Sequence, residues 1–537
     1  MTSPTRSLLF AAAFLAALPA LAAPPSGTAE PRPITRQEIA AHLKFLSRDL
    51  LEGRGVGTRG GRLAESYLES VFQRNGLAPA FGESYRQELE LRRVVPDPAM
   101  TLVAEGKSGT LSLGMLGTDF VATFPKPETK GRVEADLVFA GYGIEAPPWQ
   151  WDDFKGVDVK GKVLLVLAGE PGGDAPALFE GKALTYFGRW TTKFEMAARR
   201  GAAGVLLVHS VAGAGYSWDV VRNGWTRGSS FDPGRKDLLD LLGWLSEAKA
   251  GELLRKAGLD LAALRKSAET RAFRPVPLGL KVVASARPTY ETARTANVAG
   301  VVRCGKPGAP VVVVSAHHDH LGVGNPENGD AIYNGAIDNG SALAAMLALS
   351  RFFAERTPGG VDLLFLAPAA EEEGLIGSAY FARNPPVPSA RIAADFNLEM
   401  TAVWGEAKDL VAIGARHSEL QDVIETVAKR HGMAVTPEAN PEQGFFFRSD
   451  QFSFARAGIP GAWIDLGDDL AGKPAGTGKA LRDAYRTGRY HHPNDEFDPA
   501  WELTGTVQLS GLLTEMVDEI DRRGGRIAWK PGAPFSR

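Results

Sequence analysis

The strongest constraint on the fold is a set of three predominantly apolar runs, Val311 to Ser315, Val361 to Ala367 and Ile392 to Leu398. An Ala- and Leu-rich stretch with helical character, Ser341 to Glu355, separates the first two. A strand that is apolar on both faces needs cover on both faces, which a parallel sheet between two helical layers provides. The pattern predicts an α/β fold with a three-layer, mixed and largely parallel sheet and helices on both faces. In such a sheet the carboxyl ends of the strands share one edge, where side chains remote in sequence meet.

Reactive side chains crowd those ends. Five of the nine histidines fall in two clusters, His317-His318-Asp319-His320 after the first run and His491-His492 near the C-terminus. Between them lie Asp338, the triplet Glu371-Glu372-Glu373 after the second run, and Glu399 after the third. Singly, each has an ordinary explanation: a polar loop, a helix cap in Asp338-Asn339-Gly340-Ser341, a solvated acidic turn, an ion pair. Together these explanations weaken, because three adjacent carboxylates at a buried strand's end repel one another unless a cation sits among them. Imidazole with carboxylate is a donor set for zinc. Two histidines with three carboxylates exceed the needs of one catalytic zinc and fit a two-metal site.

Composition excludes other classes. The 537 residues carry 60 Lys+Arg against 63 Asp+Glu, a net charge of −3, with no basic run suited to nucleic acid or an anionic membrane. The single cysteine, Cys304, rules out an intrachain disulfide, a Cys₄ zinc site and Cys-x-x-Cys redox chemistry. Arg6 precedes an apolar run, Leu8 to Leu18, and the small-x-small pattern Ala20-Leu21-Ala22. That run is too short to span a bilayer and reads as a signal peptide, residues 1–22, cut after Ala22. The expected mature protein is exported, periplasmic or secreted, with no membrane segment.

A Pro-rich linker, 23–34, leads to a helix capped by Thr35 with Glu38 completing a capping box. A second helix carries Leu63, Tyr67, Leu68, Val71 and Phe72 and stops at Gly76. The Gly- and Arg-rich stretch Leu51 to Arg62 between them reads as a flexible surface loop, since no strand precedes it and no Lys-Ser/Thr follows, as a phosphate loop would need. From about Val133, short strands among Gly-, Pro- and Trp-rich turns form a smaller α/β unit, in which His209 reads as structural. Trp501 to Arg522 reads as a terminal helix.

Five motifs follow in order: His317-His318-Asp319-His320-Leu321-Gly322, Gly335-Ala336-Ile337-Asp338-Asn339, Glu371-Glu372-Glu373-Gly374-Leu375-Ile376-Gly377-Ser378, Asn397-Leu398-Glu399-Met400 and Tyr490-His491-His492-Pro493-Asn494-Asp495. Their succession resembles the co-catalytic zinc metallopeptidase family of bacterial secreted aminopeptidases and glutamate carboxypeptidase II. Ala140-Gly141-Tyr142-Gly143, Gly161-Lys162-Val163 and Arg200-Gly201-Ala202-Ala203-Gly204-Val205 look like a protease-associated domain inserted in the peptidase. The resemblance implies a peptidase domain in two parts, 35–125 and 289–537, around an insert at 126–288.

It also implies roles. His317 binds one metal and Asp319 orients it; Asp338 bridges both metals; Glu372 and Glu399 each bind one; His491 is the second histidine ligand. Glu371 is the general base and Tyr490 is placed to donate to the oxyanion. His318, His320, His492 and Glu373 are neighbours, and a register slip onto His318 or His492 stays open. Glu399 stands where the family more often has aspartate, and Gln451 where a histidine is common, so that segment receives no ligand.

The implied chemistry is peptide hydrolysis by a water shared between two Zn²⁺ ions, with Glu371 taking its proton. Carboxylates near the site suit a substrate's free α-ammonium, hence an aminopeptidase on short peptides. A carboxypeptidase on the same scaffold would need a cationic pocket, for which Arg448 and Arg489 lie near the motifs. A non-catalytic binding protein on this scaffold would have lost ligands, whereas every ligand position here is filled. A metallo-β-lactamase-like His-x-His-x-Asp-His motif is ruled out by Ser315 at its first position. Oligomeric state is open.

Overall fold

The computed structural model describes residues 30–172, 178–533 and 535. The expected signal peptide, its cleavage point and linker residues 23–29 lie outside the described residues. Among the described residues no helix is long and apolar enough to cross a membrane.

Two sheets organise the chain. The larger has ten strands, and its centre is a parallel run of four: Asp362–Ala367, Val311–Ser315, Ile392–Asn397 and Gly461–Leu466, in that spatial order. Flanking ladders are antiparallel, Thr289–Val302 against Asp362–Ala367 on one side and Asp409–Ile413 against Gly461–Leu466 on the other. The apolar runs divide their side chains between two cores, as a sheet covered on both faces requires. Val312, Val314, Leu363 and Phe365 pack with the helices Arg59–Arg74, Ala342–Glu355 and Thr504–Arg522. Val311, Val313, Leu364 and Leu366 pack with Phe381 and Phe454 from Ile376–Arg383 and Gln451–Arg456.

The second sheet has eight strands and its own parallel run, Arg132–Phe139, Val163–Leu167, Gly204–Val208 and Leu241–Leu245. Its two faces bury separate apolar clusters. The chain enters this unit from Arg86–Val95 and leaves it into Thr289–Val302, and these two strands pair antiparallel in the larger sheet from Arg86↔Val298 to Val95↔Thr289. The unit therefore hangs from a two-stranded ribbon.

The second sheet takes in strands that precede residue 126. Thr101–Gly106, Gly109–Ser112 and Phe120–Thr123 belong to the second sheet, because Thr101–Gly106 pairs with Val276–Ser285 and Phe120–Thr123 with Leu241–Leu245. Such pairings join residues more than a hundred positions apart and leave no local signature. In the other direction, Ser229–Phe231 leaves the second unit and adds an edge strand to the larger sheet beside Arg86–Val95.

The stretch Leu51 to Arg62 is not a surface loop. Asp49–Arg54 forms a 3-10 turn leading toward the Arg59–Arg74 helix, and Arg54 is completely buried. A Cβ on Gly53, at φ +62°, would lie 2.4 Å from the Tyr333 carbonyl oxygen and 2.6 Å from that of Gly322. Its glycines permit close backbone packing, a use that composition does not separate from flexibility.

Candidate metal centre

The three central strands Asp362–Ala367, Val311–Ser315 and Ile392–Asn397 are neighbours and parallel, so their carboxyl ends deliver Glu371 to Glu373, His317 to His320 and Glu399 to one edge. Asp338 comes from the turn Ala336–Ser341, which precedes the Ala342–Glu355 helix. The N-cap of that helix is Ser341, which makes no side-chain cap hydrogen bond. His491 arrives from the segment after Thr477–Gly488, with φ +61°.

Asp338 stands between two histidine clusters and offers one oxygen to each. Its Oδ1 lies 3.3 Å from His317 Nε2, which is 2.9 Å from Glu399 Oε1. Its Oδ2 lies 3.4 Å from His491 Nε2, which is 3.1 Å from Glu372 Oε2. His317, Asp338 and Glu399 bring donor atoms together closely enough to hold one ion, as do His320, Asp338 and Glu372. The ring nitrogens of His320 and His491 and Oε1 of Glu372 are buried and, although they crowd one another at 2.8 to 3.1 Å, make no well-aligned hydrogen bond. Buried polar atoms are seldom left so, and imidazole with carboxylate is what zinc takes, so the residues fit such an ion.

Residues 297–511 match the model of peptidase family M28. That stretch, which holds all five motifs, is similar to this family. A probable zinc metalloprotease of Pyricularia oryzae is 38% identical over 244 residues, 42% of this chain and 46% of that protein. Aminopeptidase YwaD of Bacillus subtilis is 28% identical over 162 residues, 29% of this chain and 32% of that protein. The chain thus spans less than half the length of these curated relatives. Among solved structures, an aminopeptidase from Aneurinibacillus sp. strain AM-1 superposes with a TM-score of 0.54 at 18% identity, covering 90% of this chain and 93% of that one, a likeness of fold.

The centre separates adjacent residues by direction. His318 Nε2 meets the Ala296 carbonyl at 3.0 Å, and His492 Nδ1 meets Glu327 Oε2 at 2.7 Å, so neither ring joins the clusters. Glu373 lines the same cavity as Glu371, Glu372, Asp338 and His491 but accepts from the Ser230 amide at 2.9 Å and joins neither cluster. His320 is the addition: its Nδ1 lies 2.8 Å from Glu372 Oε1, although the motif pattern left it a neighbour. Two carboxylates in one turn, each needing a counter-charge, were the only hint of it in the sequence.

The supports of the centre are distributed. His317 Nδ1 meets the main-chain oxygen of Asp319 at 3.0 Å, whereas the Asp319 carboxylate accepts from the amides of Glu371 and Glu372 at 3.0 and 3.2 Å. Asp319 thus holds the histidine with its backbone and the acidic turn with its side chain. Gln451 Oε1 accepts from Asn397, whose amide also reaches Glu399 Oε2 at 3.3 Å. Asp495 accepts from the amides of Ile337 and Asp338, and Arg54 donates to the carbonyls of His318, Asn334 and Gly335. Sequence reasoning gave Asp495 no role, although it closes the last motif, and assigned Arg54 to a loop.

Charge divides the two adjacent glutamates. Burial pushes the Glu371 carboxyl well above its ordinary pKa; His317 opposes this, and Glu399 and Glu372 add to it. Burial also opposes ionisation of Glu372, but His491 and His320 outweigh it and hold that carboxyl well below. The two adjacent carboxyls are thus shifted in opposite directions by their neighbours. Burial likewise opposes charge on His491, yet Glu372 and Asp338 push its pKa up to about 9. Tyr490 stacks on His491 with ring centroids 3.9 Å apart, and burial pushes its hydroxyl well up, keeping it a donor. Arg489 does not enter the site: it donates to the carbonyls of Asn494 and Glu496.

Proposed function

We propose that this chain is an exported di-zinc exopeptidase that removes N-terminal residues from short peptides. The observation that carries the reading is Asp338, whose two oxygens face histidines of separate clusters. His317 and Glu399 would hold one ion, His491 and Glu372 the other, with Asp338 between them and His320 within reach of the second. Two zinc ions, when bound, supply Lewis-acid polarisation and an acidified water. The chain's own residues do the rest. Glu371, near-buried and 4.0 Å from His317 Nε2, takes a proton at its carboxylate from the attacking water and returns it to the leaving amine. Tyr490, facing the same cavity, donates its hydroxyl to the developing oxyanion. The acidic lining offers a place for the substrate's α-ammonium. The second sheet, taken as a protease-associated insertion, walls the cavity with Arg189, Trp190, Tyr216 and Trp225 and so favours short substrates.

The test is metal analysis with a peptide panel. Active protein is expected to contain about two zinc ions per chain, to lose activity on chelation and regain it with zinc, and to cleave free-amine peptides far faster than N-acetylated ones. Full activity after exhaustive chelation would overturn the metal assignment. Release of C-terminal residues only, with N-acetylated peptides cut equally well, would favour the carboxypeptidase reading.

A further inference from the structure

The two histidine clusters are held by different parts of the chain. Around His317 and Glu399 the supports come from the larger sheet and its loops. The Asp319 main-chain oxygen meets His317 Nδ1 at 3.0 Å, Asn397 Nδ2 donates to Glu399 Oε2 at 3.3 Å, and Trp463 Nε1 donates to the Glu399 carbonyl at 3.1 Å. Around His320, Glu372 and His491 another segment intervenes. It runs from the helix Trp218–Thr226 to the strand Ser229–Phe231 and comes from the second unit.

Three residues of that segment reach three loops. Asn223 Nδ2 donates to the His491 carbonyl at 3.5 Å and to Glu327 Oε1 at 3.1 Å, and Glu327 Oε2 in turn meets His492 Nδ1 at 2.7 Å. Arg227 Nη1 donates at 3.0 Å to the carbonyl of Leu321, one residue past His320, and lies 3.7 Å from Glu373. The Ser230 amide donates at 2.9 Å to Glu373 Oε2, one residue past Glu372. Each contact therefore falls on the backbone of a cluster residue or on the residue that follows it.

The contacts are shut away from water. Asn223 and Ser230 are 4% and 2% exposed, and the side chains of Arg227 and Glu373 are 5% and 4% exposed. Solvent does not replace a bond lost there, and a buried pair that loses one partner leaves the other charge uncompensated. The segment is itself anchored at both ends. Val221 packs in an apolar cluster of the second sheet, and Ser229–Phe231 pairs with Arg86–Val95 in the larger one. His491 needs such support, because a non-glycine residue keeps a φ of +61° only where its surroundings fix it.

We propose that Asn223, Arg227 and Ser230 are positioning residues: they form a brace from the second unit that holds the loops of His320, Glu372 and His491 in register, and so set the affinity of that metal position without setting that of the His317–Glu399 position. The inference rests on the di-zinc reading above. The second unit then does more than wall the cavity, since one metal position of two depends on it.

The experiment measures zinc affinity of the full chain by competition with a chromophoric chelator in two single-site backgrounds. Glu399→Gln retains the His320–Glu372–His491 position, and Glu372→Gln retains the His317–Glu399 position. Adding Asn223→Ala is expected to weaken zinc about 10–100-fold in the first background, the usual worth of a partner that orients metal ligands, and to leave the second unchanged. Arg227→Gln should do the same, and it takes the place of Asn223→Ala if circular dichroism shows that variant unfolded. Equal weakening in both backgrounds, or none in the first, overturns the brace. Amide hydrogen exchange of the metal-free chain is a second readout that needs no zinc. Each variant should speed exchange at residues 320–322, 371–374 and 490–492 and not at 397–400; unaltered exchange at the first three overturns the brace. If the native chain binds no zinc while this exchange pattern appears, the di-zinc reading fails and the brace stands.

Discussion

Glu371 and Glu372 share a side chain and a turn, and only their neighbours distinguish them. Glu372 reaches His491 and His320 at 3.1 and 2.8 Å, whereas the nearest ring nitrogen to Glu371 is His317 Nε2 at 4.0 Å. Glu371→Gln is therefore expected to keep metal and fold while turnover falls about 10²–10⁴-fold, the usual worth of a positioned acid–base. Glu372→Gln should instead lose metal, because a neutral amide poorly replaces an anionic ligand. Metal content, turnover and circular dichroism of both variants check this. Loss of metal from Glu371→Gln with retention by Glu372→Gln would place the register one residue off.

At the scale of elements, the centre is held by loops whose backbone is tied from behind. Asp495 is completely buried and accepts from the Ile337 and Asp338 amides and from the Tyr485 hydroxyl, so it sets the angle at which Asp338 enters. Outer partners of metal ligands typically carry 10–100-fold in affinity. Asp495→Asn should accordingly weaken zinc binding by about that factor with the far-ultraviolet spectrum unchanged, measured by competition with a chromophoric chelator; unaltered affinity would make Asp495 a mere loop staple. Arg54 works on the same loops from the other side, through carbonyls of His318, Asn334, Gly335 and Leu46.

At the scale of the whole molecule, the Thr504–Arg522 helix closes one face of the larger sheet, and its Glu519 anchors a charge cluster. The Glu519 carboxylate is buried and accepts from Arg430, Arg522 and Arg523, which hold its pKa down to about 2. A folded pKa below the unfolded value of roughly 4.3 gives stability that is present above that value and lost as pH falls through 2. Glu519→Gln should therefore lower stability by about 1–2 kcal/mol at pH 7, and the gap to the native chain should close between pH 4 and pH 2. Urea midpoints across that range measure it; a gap that persists at pH 2 would assign the loss to packing.

What the sequence determined by itself was set by short-range chemistry. Predominantly apolar runs demanded a sheet covered on both faces, and the residues just past those runs had to gather at one edge; hence His317, Glu371 to Glu373 and Glu399 were legible from position alone. The tertiary structure decided which neighbour faces inward: His317 and not His318, His491 and not His492, and His320 beside Glu372. It also decided that strands from residue 101 onward join the second sheet, that Arg54 is buried, and that Arg189 meets the cavity that Arg448 lines. Each of these depends on contacts between segments more than a hundred residues apart or on the direction of a side chain at a turn, and neither leaves a period or composition in the chain to be read.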